Sequence, residues 1–364
     1  MITETKRGPL DFKHNLRGKR IFITGHTGFT GSWASIWLSQ IGAHVFGYSL
    51  LPDTLPNLYS EAKVSELLEE QIGDVRNFDL LRSTMESFQP DLVLHLAAQP
   101  LVLRSYATPR ETFEVNTQGT VNVLEAARSI RSISGVLCVT TDKVYKNLET
   151  GKEFLESDEL GGKDPYSASK VAAEIAIASY RHAFSVETRP LIAVARGGNI
   201  IGGGDWSQDR LIPDFIRAFS RYENPRLRHP EATRPWQHVI ALVEGYFKIL
   251  SGLSSPEPGP FAREFNLGPT DSSNVSVGQL VEMMSGYFGV SGFDSTTSKF
   301  PEAGWLSLNS NLAKEVIAWS PKWDIKQVIE KTAEWYSKYL DNETSARELC
   351  IDQISEWSSK TPGK

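Results

Sequence analysis

Tyr166 and Lys170 stand four residues apart in the run Pro165-Tyr166-Ser167-Ala168-Ser169-Lys170. On a helix that spacing puts both side chains on one face. A lysine ammonium close to a phenol favours the phenolate and is expected to lower the tyrosine pKa from its usual value of about 10. The pair would then be a base able to take a proton from a hydroxyl near neutral pH. Alone, a Tyr-x-x-x-Lys is more often a surface pair. Here it has a companion upstream, Val139-Thr140-Thr141-Asp142-Lys143-Val144-Tyr145, where a hydroxyl, a carboxyl and an amine follow one another.

The elements that must position these groups read as an α/β chain. Gly135 to Thr140 is a buried strand that runs out into polar residues, and in a parallel sheet catalytic groups gather at that strand end. Small residues after Tyr166 and then Val171-Ala172-Ala173-Glu174 open a helix. Near the N-terminus, Arg20 to Thr24 is a short strand, followed by Gly25-His26-Thr27-Gly28-Phe29-Thr30-Gly31 and a helix from Ser32 to Gln40. Strand, glycine turn and helix in that order are the context of a dinucleotide fingerprint. Its glycines let the backbone approach a pyrophosphate seated on the helix N-terminus. The spacing is G-x-x-G-x-x-G, not G-x-G-x-x-G.

Ala43 to Tyr48 is the second strand. A ribose-binding acid is expected near its end, and Asp53 is the candidate, although it is late and follows Pro52. No Arg or Lys takes its place, which favours NAD over NADP. Glu70 to Ile72 is a third strand leading to Asp74, which either accepts from the adenine amino group or caps a helix from Asn77. Asp91 to Leu96 is a fourth, running into Ala97-Ala98-Gln99-Pro100, where small residues let a cofactor pass close to the backbone. His95, inside an apolar run, reads as a core histidine. Asn116 to Ala127 reads as an amphipathic helix and Pro190 to Ala195 as a sixth strand. Beyond it comes a glycine-rich loop, Arg196-Gly197-Gly198-Asn199 through Gly202-Gly203-Gly204-Asp205-Trp206. Arginines then accumulate: Arg210, Arg226, Arg228 and Arg234. Such a local excess suggests an anionic substrate such as a diphosphate gripped by guanidinium groups, with Arg226 and Arg228 assigned to solvated surface. Helices are expected at 239–250, 276–288 and 327–340. A polar tail follows from about Asp341.

The chain has 364 residues and a net charge of −6. That length gives ample core for one large or two closely joined domains. The acidic balance does not suggest a nucleic-acid groove or an anionic membrane surface. The first 20 residues lack the apolar segment of a secretory signal, and no apolar run reaches the roughly 20 residues of a membrane helix. Cys138 reads as a small core residue and Cys350 as part of the polar tail, so no disulfide is expected and the cytoplasm is the default. No metal is expected.

Taken together, these residues resemble the extended short-chain dehydrogenase/reductase family. The resemblance rests on Gly25, Gly28 and Gly31, on Asp74-Val75-Arg76, Leu96-Ala97-Ala98, Asn116, Tyr166-x-x-x-Lys170 and Asn266-Leu267-Gly268, and runs from about Gly18 to Leu340. Within it the chain resembles the nucleotide-sugar 4,6-dehydratases, which carry a Thr-Asp pair where epimerases lack it. Lysine in third place, as in Thr141-Asp142-Lys143, resembles the CDP-glucose 4,6-dehydratases. So do His95 to Val102, Arg196 to Trp206 and Arg234-Pro235-Trp236-Gln237-His238. The acid often found at the end of the second strand falls on or near Leu51.

The resemblance implies a Rossmann doubly wound parallel sheet over 1–195, then a smaller C-terminal α/β substrate domain over 196–340 with segments returning to the Rossmann half. It implies NAD held by Gly25, Thr27, Gly28, Phe29, Thr30, Gly31, Asp53, Asp74, Val75, Leu96, Ala97, Ala98, Asn116, Thr140, Tyr166 and Lys170. Substrate contacts would come from Gln99, Arg104, Asn199, Arg210, Arg234, Trp236 and His238. It implies conversion of CDP-glucose to CDP-4-keto-6-deoxyglucose and water. Tyr166 would take the C4 hydroxyl proton and Thr141 would hold the C4 oxygen. Asp142 would protonate the departing C6 hydroxyl, and Lys170 would bind the nicotinamide ribose and tune Tyr166. Lys143 would act at C5, either as a neutral base, which requires its usual pKa of about 10.4 to fall, or as a cation stabilising the enolate. A homodimer or homotetramer is implied, through helices near Asn116–Arg128 and Tyr166–Phe184.

Overall fold

Short apolar runs such as Ile21-Phe22-Ile23 and Leu92-Val93-Leu94, bounded by polar turns, are too brief for helices and pair as buried strands. The computed structural model describes residues 11–184, 190–269, 274–289, 292–296 and 305–360. Six strands follow in chain order: β1 (Arg20–Thr24), β2 (His44–Ser49), β3 (Glu69–Ile72), β4 (Leu92–His95), β5 (Gly135–Thr141) and β6 (Leu191–Gly197). With a later strand, Glu264–Leu267, they form one parallel sheet in the order β3-β2-β1-β4-β5-β6 and then Glu264–Leu267. This is a Rossmann doubly wound sheet. Its order reverses between β1 and β4, where a crevice opens outside the C-terminal strand ends.

Alternate strand residues face opposite layers. Ile21, Ile23, Leu92, Leu94 and Leu137 pack with helices Phe29–Ile41 and Val239–Leu253. Phe22, Val93, Val136 and Cys138 pack with Phe78–Phe88, Gly119–Arg128 and Ile177 of Pro165–Phe184. His95 is a buried core residue, as expected, bonded to the hydroxyls of Thr24 (2.7 Å) and Thr120 (3.0 Å).

Beyond β6 the strands are short. Ile200–Ile201 pairs in parallel with Gln237–His238, and Thr233–Pro235 pairs in antiparallel fashion with Asn274–Ser276. Helices Leu211–Phe219 and Val277–Phe288 accompany them. Among the described residues, no helix is long and apolar enough to cross a membrane.

Two expectations need correction. The segment expected as a helix from Asn116 begins with a π-turn, Glu114–Gln118, before the α-helix Gly119–Arg128. The expected polar tail is a helix, Ala346–Ser359, opened by a Ser345/Glu348 capping box. Its polar residues conceal an apolar stripe at helical spacing: Ala346, Leu349, Cys350, Ile354 and Trp357 are buried. Trp357 meets Trp323 edge-on at 5.0 Å, and Arg347 Nε donates to Ala62 O at 2.7 Å. Trp357→Ala is therefore expected to cost about 3–5 kcal/mol, read as a lower denaturant midpoint. A change within about 0.5 kcal/mol would show that this helix is not part of the core.

Candidate active site

The cleft at the C-terminal strand ends has a volume of about 1500 Å³. One wall is the glycine turn. Gly25 has φ +80°, and a Cβ there would lie 2.7 Å from Ala97 N; one at Gly31 would lie 2.0 Å from Gly25 O. These two glycines let the turn close on β4 and on itself. Gly28 differs: its φ is −74°, and the nearest atom to a Cβ would be Gly25 O at 3.4 Å. Neither backbone nor packing demands glycine there. It is also the N-cap of Phe29–Ile41 without a side-chain cap, so free N–H groups open on the cleft. That cradle fits a pyrophosphate.

The other expected cofactor residues lie around the same cleft with differing duties. Thr27, Phe29, Thr30, Asp53, Asp74, Val75, Leu96, Ala97, Ala98 and Thr140 line it. Thr27 Oγ1 donates to Leu50 O (2.7 Å), pinning the turn to the end of β2. Asp74 is held by Arg76, whose Nη2 donates to Oδ2 at 2.6 Å, and the helix that follows is capped by Asn77 instead. Asp53 is exposed and paired to Arg104 at 3.0 Å, so the two face each other at the cleft mouth.

Two residues are occupied within the protein. Asn116 accepts from Gln99 N (2.8 Å) and donates to Gln99 O (3.1 Å) and Ser169 Oγ (2.9 Å). Gln99 spends both amide hydrogens on Leu101 O (3.1 Å) and Thr112 Oγ1 (2.9 Å), and its oxygen accepts from Leu101 N (2.7 Å). They brace the loop after β4 rather than offer free groups to a ligand. His238 is a clear correction. It is buried between Trp33 and Trp323 (ring centroids 5.7 and 4.9 Å) and caps Val239–Leu253. Burial lowers its pKa to about 3. Asn199, Arg210, Arg234 and Trp236 do line the cleft, and Arg234 and Trp236 are buried. Arg226 is exposed as expected, whereas Arg228 pairs with Asp209 at 3.5 Å.

The proton-handling groups meet at the end of β5. Asp164 accepts from Ser167 N (3.0 Å) and Ser105 Oγ accepts from Tyr166 N (3.2 Å), fixing the start of Pro165–Phe184. Tyr166, Lys170, Thr141 and Asp142 are all buried and line the cleft, with Lys143 partly buried beside them. The expected lowering of the Tyr166 pKa by Lys170 is not what the geometry gives. Burial pushes the phenol up to about 12; the Thr141 hydroxyl and the charge of Arg210 oppose it. Lys170 Nζ donates to Val139 O at 3.2 Å, and burial draws its pKa down to about 8. Burial also raises Asp142, opposed first by the charge of Lys143; its Oδ1 accepts from Thr141 Oγ1 at 3.0 Å. The site therefore contains a protonatable carboxyl, a phenol and a cation facing one hollow.

Sequence reasoning missed the layer beneath. Glu174 accepts from Thr140 Oγ1 (2.6 Å) and Arg196 Nε (2.9 Å). Arg196 Nη1 donates to Tyr145 OH (2.8 Å), and Tyr145 OH to Asn266 Oδ1 (2.6 Å). An arginine inside the buried strand Leu191–Gly197 was the available signal, since it requires a partner anion.

A Rossmann sheet with this glycine turn, a Tyr-x-x-x-Lys helix and a strand-end Thr-Asp-Lys defines the extended short-chain dehydrogenase/reductase class. Within that class the chain belongs to the GDP-mannose 4,6-dehydratase family, whose family model matches residues 22–332. A CDP-glucose 4,6-dehydratase of Salmonella typhimurium is 37% identical over 357 residues, covering 96% of this chain and 99% of the relative. A CDP-paratose 2-epimerase of Salmonella typhi is 27% identical over 348 residues, covering 87% and 99%. The crystal structure of a dTDP-glucose 4,6-dehydratase from Bacillus anthracis, in complex with NAD, superposes with a TM-score of 0.76 at 21% identity, covering 89% of this chain and 98% of that one.

Gly28→Val is expected to fold normally, because its backbone angle is ordinary, and to lose dinucleotide binding. Titration with NADH, followed by fluorescence, reads this; unchanged affinity in the folded variant would move the cofactor elsewhere.

Proposed function

We propose that this chain converts CDP-glucose to CDP-4-keto-6-deoxyglucose and water, with NAD bound at the glycine turn and regenerated in every turnover. The observation that carries this is the gathering of Thr141, Asp142, Lys143 and Tyr166 on one cleft, with Thr141 bonded to the Tyr166 phenol and the Asp142 carboxyl buried and its pKa raised. A 4-epimerase of the same fold needs a base at C4 but no acid for a leaving hydroxyl. The 37% identical relative supports the same substrate.

When bound, NAD takes the hydride from C4 of the hexose and later returns it to C6. Tyr166 in its phenolate form, which the Thr141 hydroxyl and the Arg210 charge favour against burial, takes the C4 hydroxyl proton, and Thr141 holds the C4 oxygen. The resulting ketone acidifies the C5 proton; Lys143, acting in its neutral amine form, removes it and gives it back to C5 as the hydride reaches C6. Asp142 gives its proton to the C6 hydroxyl, the C6–O bond breaks, and water leaves. Burial keeps Asp142 in its acid form to higher pH than an exposed aspartate, which this step requires. Lys170 binds the nicotinamide ribose. Arg234 and Arg210 grip the diphosphate beside Trp236 and Asn199. The cofactor half spans 1–195 and the substrate half 196–340. We assign the protein to the cytoplasm, which suits its two buried free cysteines. We also assign it to a homodimer through Gly119–Arg128 and Pro165–Phe184, where Ile175 is 62% exposed.

The test is incubation with CDP-, dTDP-, UDP- and GDP-glucose, watching for a 4-keto product. Turnover should favour CDP-glucose; equal or greater turnover of another nucleotide would overturn the assignment. In single-turnover absorbance, Tyr166→Phe should show no transient NADH. Asp142→Asn and Lys143→Ala should retain C4 oxidation while overall turnover falls roughly 10²–10⁴-fold. Lys143→Ala should also slow exchange of the C5 proton with solvent. If both lose oxidation as completely as Tyr166→Phe while folded and binding substrate, the division of labour is wrong.

Arg234→Ala should weaken substrate binding by roughly 1.5–3 kcal/mol, the value of a charge-assisted contact. A substrate constant unchanged within error would place Arg234 outside the diphosphate site. The deprotonated form of Asp142 cannot serve as acid, so elimination should fail as pH rises through its raised pKa. A rate rising through that range would reverse its role.

A further inference from the structure

Glu174 stands one helical turn beyond Lys170 and two beyond Tyr166, and all three are buried. Its carboxylate takes three donors: Thr140 Oγ1 at 2.6 Å, Arg196 Nε at 2.9 Å and Arg196 Nη2. Thr140 and Arg196 are neighbours in register on β5 and β6. One carboxylate thus ties two adjacent strands to the helix that carries Tyr166. One residue earlier, Lys170 Nζ donates to Val139 O at 3.2 Å. The strand end that delivers Thr141 and Asp142 is laced to the helix at two successive positions. The proposed chemistry uses neither Glu174 nor Arg196.

We infer that the Glu174–Arg196 pair is a positioning unit: it holds the Thr140–Thr141 strand end against Tyr166 and keeps Lys170 in its ammonium form. The groups around Lys170 give the second half of that statement its content. From β4 comes His95, which burial keeps neutral, with its pKa lowered to about 3. From β5 comes Cys138, whose thiol is raised by burial to about 12. From the same helix come the Tyr166 phenol, also protonated at neutral pH, and Glu174. Arg196 approaches from β6 behind Glu174 and keeps its charge at any ordinary pH. The Glu174 carboxylate, ion-paired to Arg196, is the anion in this set that opposes the desolvation of the ammonium. A neutral amine at Lys170 would not hold a ribose through charge.

The inference rests on the proposed function for its kinetic readout, so the primary readout is independent of turnover. Protein labelled with ¹³C-lysine gives an ε-carbon resonance for Lys170, assigned by its absence in Lys170→Met. Its shift is followed through pH, alongside the pH profile of kcat/KM with CDP-glucose. Glu174→Gln should move the Lys170 midpoint down by about one unit, and the alkaline limb of turnover with it. Thr140→Val breaks the hydroxyl contact but leaves every charge; it should lower kcat with the midpoint unmoved. Glu174→Asp should restore the midpoint in part.

If Glu174→Gln does not fold because Arg196 is left unpaired, Glu174→Gln/Arg196→Met removes both charges, and a smaller downward shift is expected there. A midpoint that stays put in the folded single or double variant would overturn the inference, as would an equal shift in Thr140→Val. A wild-type protein that titrates as described yet fails to turn over CDP-glucose would sink the proposed function and leave this inference standing.

Discussion

The Glu174–Arg196 ion pair is almost wholly out of water, with side-chain exposures of 3% and 4%. Burying two charges costs several kcal/mol each unless every remaining hydrogen-bonding position is filled. Here Thr140, Tyr145 and the Glu156 carbonyl add hydrogen bonds to those of the pair itself. Tyr145 in turn bonds Asn266 and stacks on Phe154 at 4.8 Å. The pair therefore fastens the helix of Tyr166, two central strands, the loop after Lys143 and the edge strand Glu264–Leu267. The groups that face the hollow from this side are carried by elements that this pair joins.

Burial governs the chemistry as much as the framework. It raises the Tyr166 phenol and the Asp142 carboxyl and lowers the Lys170 ammonium. In each case the neutral form gains. A carboxyl whose acid form is favoured by burial suits protonation of a leaving hydroxyl, and the Thr141 hydroxyl against the phenol moderates the cost of forming the phenolate. Arg210 contributes from the far wall, and its position is set by Asp205 at 3.3 Å, on the loop after β6. That loop is itself held by remote parts of the chain: Trp33 Nε1 donates to Gly203 O at 3.0 Å, and Tyr336 OH to Asp205 O at 2.5 Å. The C-terminal helices thus shape the cleft from behind.

Much of the site is legible in the residue string because its signals are local. A strand, a glycine turn and a helix follow one another without a break, and Gly25, Gly28 and Gly31 need no distant contact to announce a pyrophosphate cradle. The four-residue spacing of Tyr166 and Lys170 is a property of one helix. The run Thr141-Asp142-Lys143 falls where a buried strand becomes polar, so its place at the sheet's C-terminal edge follows from its own sequence. The parallel alternation likewise follows from short apolar runs separated by amphipathic helices.

What tertiary structure alone decided concerns partners far apart in the chain. His238 follows a motif rich in functional residue types, yet Trp33 and Trp323 enclose it in the core. Residues 346–359 look polar by composition, and only a surface to dock against turns their apolar stripe into a buried helix face. Gln99 and Asn116 carry groups suited to a ligand, but the fold satisfies them internally: Asn116 on the Gln99 backbone and Ser169, and the Gln99 amide on Leu101 and Thr112. The effect of Lys170 on Tyr166 depended on how deeply both are buried and where the ammonium points, and neither is written in a spacing of four. Sequence determined which groups this protein has and which lie on common elements. The packing of remote elements decided which of those groups remain free, and in which protonation state, because desolvation and hydrogen-bond satisfaction exist only once the chain has closed around them.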